Sequence, residues 1–127
     1  MKINITAQLS DAGSDAGTFE VVSGGYYEIE IKNIDVNGNP IDMTGKPVAF
    51  LMRRSVGGAM NDFEFENITA ENNITRLILP SDVTAKMNGT YYFEYGFKQE
   101  TGRIYRTVFG RLEFAQSNLW GVFNEVE

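Results

Sequence analysis

Apolar and polar positions alternate with a period of two through much of this chain, and no apolar face is kept at helical spacing for three turns. The alternating runs are four to nine residues long and close on Gly, Asn, Asp or Pro, the signature of an antiparallel β domain. YYEIEIKN at 26–33 is the clearest case. Tyr27, Ile29 and Ile31 fall on one face and Glu28, Glu30 and Lys32 on the other, which predicts a sheet with a dry side and a wet side. PVAFLMRR at 47–54 repeats the pattern with Val48, Phe50 and Met52 in phase, and Asn72 to Leu79 does so with Leu77 and Leu79 inward and Arg76 and Ile78 outward. Shorter strands are predicted from Lys2 into Thr6–Leu9 and over DFEFE at 62–66, with Phe63 and Phe65 sharing a face.

Between these runs the chemistry is that of turns. SDAGSDAG at 10–17 reads as a flexible loop, Asn37-Gly38 as a type I′ turn, Thr44-Gly45 as a second turn, and SVGGAMND at 55–62 as a glycine-bearing loop. Ser81 to Thr84 reads as one helical turn, capped by the serine hydroxyl, that carries the chain from one sheet to the other. The longest pattern follows it. Tyr91, Phe93, Tyr95 and Phe97 lie two residues apart, a turn is expected at 98–103, and the return strand puts Ile104, Val108, Leu112 and Phe114 on one face with Tyr105, Phe109 and Arg111 on the other. Apolar residues on both faces of that return strand point to a central position, a bulge near Gly110 or a subunit contact. Seven to eight antiparallel strands at this spacing predict an all-β Greek-key β-sandwich over 1–115, followed by a C-terminal segment, 116–127, that packs on its own domain or docks on a neighbour.

Composition narrows the chemistry. A chain of 127 residues is one domain's worth, and with neither cysteine nor histidine it lacks disulfides, thiolate metal ligands and imidazole bases. No nucleophile or phosphate-loop motif occurs, the acidic residues sit on a wet strand face or in turns, and DVNGN at 35–39 lacks the later ligands of a calcium loop. No catalytic residue, cofactor or metal is expected. A net charge of −6 disfavours nucleic acid as the main partner. The start, MKINITAQLSDAG, has no continuous apolar segment and no apolar run reaches a membrane span, so neither a standard signal peptide nor a membrane partner is expected. Four Asn-x-Thr triplets, at Asn4, Asn67, Asn73 and Asn88, read as strand and turn residues rather than glycan acceptors.

Two passages carry a resemblance. GYYEIEIKNIDVNGNPIDMTGKPVAFLMRR, with Asn37-Gly38-Asn39-Pro40-Ile41-Asp42-Met43-Thr44-Gly45 at its heart, precedes NGTYYFEYGFKQETGRIYRTVFGRLEF, where Gly89, Tyr91, Tyr95, Gly110 and Leu112 recur. Together they resemble the immunoglobulin-like domains of bacteriophage tail, baseplate and fibre-associated proteins, including the N-terminal domain of phage baseplate upper proteins. The resemblance covers about two thirds of the chain and implies an immunoglobulin-like sandwich without catalytic residues. It also implies a non-enzymatic structural or adaptor subunit of a virion, made in the host cytoplasm and joined to other virion proteins, with a homo-oligomer expected. The candidate interface is Tyr105, Phe109 and Arg111 with Leu119, Trp120, Val122 and Phe123 of the C-terminal segment. The alternative is a carbohydrate-binding module for a bacterial surface polysaccharide, with Tyr92, Tyr105 and Trp120 as stacking platforms.

Overall fold

The computed structural model describes residues 1–10, 13–54, 63–64, 68–117 and 119. The segment 55–62, Phe65 and Glu66 of the expected short strand, and Trp120, Val122 and Phe123 lie outside the described residues. Nine strands and one helical turn are formed among those described: β1 Lys2–Gln8, β2 Ser14–Val22, β3 Tyr27–Ile34, β4 Val48–Arg53, β5 Phe63–Glu64, β6 Thr69–Glu71, β7 Ile74–Leu79, α1 Ser81–Thr84, β8 Gly89–Lys98 and β9 Ile104–Ala115. They make a four-stranded sheet in the order β1-β3-β7-β6 and a five-stranded sheet in the order β2-β9-β8-β4-β5. The two apolar faces close on each other, and neither sheet curls into a barrel.

The alternation seen in the sequence builds this core. Ile29, Ile31, Leu77 and Leu79 of one sheet meet Phe50, Met52, Phe93, Tyr95 and Leu112 of the other, all essentially without solvent contact. Phe50 stacks on Phe93 at 5.2 Å and Tyr91 meets Phe114 edge-on at 5.6 Å, the offset and perpendicular packings that aromatic rings prefer. At the centre Tyr95 crosses between the sheets. Its hydroxyl donates to Asn33 Oδ1 at 2.9 Å and shares a 2.7 Å hydrogen bond with Thr75 Oγ1, while Asn33 Nδ2 donates to Thr75 Oγ1 at 3.1 Å and to the Asn73 carbonyl at 3.0 Å. Burial pushes the Tyr95 hydroxyl up to about 12, against the pull of its two hydrogen bonds.

Several expectations are corrected. The sheets are mixed, because β1 runs parallel to β3 and β2 parallel to β9. The second SDAG belongs to β2, where an edge beside β9 offers backbone partners to a weak strand former; a register shift between Asp15 and Thr18, with Gly17 at φ 88°, absorbs the misfit. Gly38 takes a positive φ of 86° while Asn37 does not, so the turn is not type I′. The Gly38 amide donates to the Asp35 carbonyl at 3.1 Å, and Asp35 Oδ1 accepts from the amides of Asn37 and Asn39, as in a type I turn closed by a glycine bulge. The helical turn does lead from β7 to β8 across the sandwich, but Pro80, already extended at φ −73° and ψ 159°, occupies the cap position, and no side chain caps it. Its carbonyl accepts from the Val83 and Thr84 amides at 3.0 Å each.

Candidate functional site

The hairpin β8–β9 presents rings and charges side by side. Its register is regular from Gly89↔Phe114 to Tyr95↔Val108, and then slips by one residue so that Gly96 faces Arg106. Thr107 is therefore the bulged residue, three positions before Gly110, and its buried hydroxyl turns to the Tyr95 carbonyl at 3.5 Å. Gly110 itself stays in register and makes room for Phe93, whose ring atoms lie 2.8 Å from where a Cβ would stand.

The bulge inverts the alternation of everything before it. Tyr105 pairs with Phe97 and their rings lie 5.7 Å apart, whereas Ile104, expected inside, pairs with Lys98 and is 76 % exposed. Of the expected interface residues on β9, Phe109 and Arg111 share the outer face of the five-stranded sheet and Tyr105 does not. The stacking set is divided for the same reason: Tyr92, opposite Arg111, is on the outer face and Tyr105 on the other, with Trp120 outside the described residues. Leu119, the described member of the C-terminal set, is 66 % exposed.

On the outer face Arg53, Arg106 and Arg111 are engaged. Glu94 receives Arg53 at 3.3 Å and Arg106 at 3.8 Å, and the Arg106 guanidinium lies 4.2 Å above the Phe109 ring. Arg111 holds both oxygens of Asp15 at 3.1 and 3.2 Å and the Thr18 hydroxyl at 2.9 Å, which ties β9 to the edge strand β2. The Gly17 amide first, and Arg111 after it, hold the Asp15 carboxyl below its ordinary range. Three guanidiniums thus meet two carboxylates.

Beside this cluster is a mostly apolar hollow of about 290 Å³ whose lining includes Ala49, Leu51, Gly96 and Ile104. It exists because the cross-strand pair Ala49↔Gly96 carries almost no side chain. Gly96 cannot be otherwise, since a Cβ would stand 2.1 Å from the Tyr105 carbonyl oxygen that the bulge pushes against it. Sequence reading placed the rings of β8 and Phe109 but neither Tyr105 nor the hollow, whose trace in the sequence is a glycine in a strand otherwise rich in aromatics.

Among the described residues, no three His, Cys, Asp or Glu side chains gather into a group able to hold a metal ion, and no helix is long and apolar enough to cross a membrane. No family model and no curated protein matches the chain. Among solved structures, the N-terminal domain of phage TP901-1 ORF48 is similar to it, with a TM-score of 0.53 and 17% sequence identity over 90% of this chain and 98% of that one. The likeness extends over nearly the whole of that domain and shows a shared β fold.

Proposed function

We propose that this domain is a structural or adaptor subunit of a bacteriophage virion, in the tail, baseplate or fibre attachment region, acting through protein–protein contacts. The observation that carries the proposal is the shared fold with the N-terminal domain of phage TP901-1 ORF48 along 98% of that domain. The finer fold assignment is immunoglobulin-like. The order β1-β3-β7-β6 facing β9-β8-β4 follows the ABED and CFG sheets of that fold, with β2 and β5 added at the ends of the second sheet. A first strand parallel to β3 is its own variation.

Contact with a neighbouring virion protein is assigned to the outer face of the five-stranded sheet. There Phe109 and Tyr92 supply ring surface, Arg106 and Arg111 supply oriented donors, and the hollow over Gly96 offers a socket for an apolar side chain. A Phe109 ring backed by a guanidinium fits the aromatic and arginine composition of contact centres. A sugar site would instead gather its rings on one concave surface, and Tyr92 and Tyr105 are on opposite faces.

Cross-linking mass spectrometry on particles banded from the source strain tests this. The expected result is the chain in the particle band, with cross-links from its peptides to another particle protein. Its absence from banded particles would refute the proposal.

A further inference from the structure

We propose that the open edge of β1 is a strand-addition site for a second copy of this chain, pairing antiparallel about a two-fold axis at Ile5. The inference concerns self-association and stands whether or not the domain belongs to a virion.

The sandwich has four sheet edges, and among the described residues three are blunted. β6 is three residues long, β5 is two, and β2 is broken by its register shift and the positive-φ Gly17. β1 is seven residues of unbroken alternation, KINITAQ, with no proline, glycine or bulge. Natural edges of that length are normally protected by charge, proline or a bulge. The single charge on this one is already committed, because Lys2 Nζ lies 2.9 Å from Glu30 Oε2 on the neighbouring strand.

The backbone states which groups the edge offers. The Met1 carbonyl accepts from Glu28 N and the Leu9 amide donates to the Ile34 carbonyl, so the odd residues of β1 turn their backbone groups toward β3. The even residues, Lys2, Asn4, Thr6 and Gln8, turn theirs to the open side. A two-fold ladder needs paired residues of that same parity, and an axis at Ile5 supplies it. Lys2 then faces Gln8 of the second copy, Asn4 faces Thr6, and about eight N–H···O=C bonds form.

The side chains fit the same register. On the wet face no like charges oppose each other, since Lys2 meets a neutral amide and Asn4 meets a hydroxyl. On the dry face Ile5 meets Ile5 and Ile3 meets Ala7, residues that are buried in the core of each sheet, so the apolar stripe continues across the joint. The edge is thus complementary to itself in charge, in hydrogen-bond parity and in hydrophobic phase. The five-stranded sheet keeps its outer face free in such a pair.

Sedimentation of the full chain, with amide exchange by nuclear magnetic resonance at about 20 µM and about 1 mM, tests the site. The expected mass at the higher concentration is twice 14.2 kDa. The amides of Asn4, Thr6 and Gln8 should gain protection with concentration, while those of Ile3, Ile5 and Ala7 stay protected throughout. Thr6→Pro removes an N–H that faces the edge and leaves the bonds to β3 intact, so it should weaken the dimer about tenfold or more without unfolding the domain. The pair Asn4→Lys and Thr6→Lys, which sets lysine against lysine twice, should do the same through surface positions alone. A full chain that stays monomeric at about 1 mM, or one whose even amides are protected at every concentration because another segment of the chain covers them, would overturn the proposal. So would dimers that neither variant weakens.

Discussion

Replacing Tyr95 by phenylalanine keeps the ring that spans the two sheets and takes away one oxygen. That oxygen bridges Thr75 on β7 and Asn33 on β3, and Asn33 Oδ1 loses its hydrogen-bond donor when it goes. An unsatisfied buried acceptor costs about 1–3 kcal/mol, so a destabilisation of about 2 kcal/mol is expected near neutral pH, seen as a fall of about 7 °C in melting midpoint for a domain of this size. The pH dependence gives a second signature. The folded state raises the Tyr95 hydroxyl from 10.0 to about 12, so between these values the folded chain keeps a proton that the unfolded chain has released. Stability is therefore lost as pH rises through this window, by roughly 2 kcal/mol at its upper end. Urea unfolding of both proteins from pH 7 to 12 is the assay. The wild type should lose its advantage above pH 10 and the two curves should converge; equal stability at pH 7, or an advantage that persists undiminished at pH 12, would refute the reasoning.

Gly96→Ala should destabilise the domain by about 2–4 kcal/mol, because its Cβ collides with the Tyr105 carbonyl and the bulge must shift; chemical denaturation measures it. Leu112→Ala, at a fully buried position on β9, should cost about 2–5 kcal/mol by the same measurement. On the acid side, Glu30 is held below 4.5 by Lys2, and Asp15 and Asp42 are held below 3.8 chiefly by the amides of Gly17 and Thr44. Their contribution is complete above these unfolded values and is lost as pH falls through the lower folded ones, so melting midpoints should decline on acidification below about pH 4.5, less steeply in Glu30→Gln.

The strands that carry the core were legible because their alternation has one cause, burial of a single face. Tyr27, Ile29 and Ile31 on β3, and Tyr91, Phe93, Tyr95 and Phe97 on β8, are buried as their spacing requires. Where structure departed from pattern, a nonlocal partner or a backbone irregularity decided. Nothing local marks Ser14-Asp15-Ala16-Gly17 as strand; β9 beside it does. Thr107 carries no mark of a bulge either, since any residue can be the extra one, and a single inserted position exchanged the faces of Ile104 and Tyr105. That exchange divided the candidate site. Phe109 and Arg111, beyond the bulge, stayed where alternation put them, and the Arg111–Asp15 pair that links β9 to β2 was hidden because it joins residues far apart in sequence.

The account rests on the outer face of the five-stranded sheet being a contact surface in an assembled particle. The measurement that tests it most directly is incorporation into particles of the wild-type chain beside a Phe109→Asp, Arg111→Glu variant, with thermal melting of each isolated domain as the control for folding. The account predicts that the wild type bands with particles at fixed stoichiometry, while the variant still folds cooperatively but is depleted from the band at least tenfold, the effect of about 1.4 kcal/mol of lost contact energy. Equal incorporation of the two chains, or a wild type absent from particles, would contradict it.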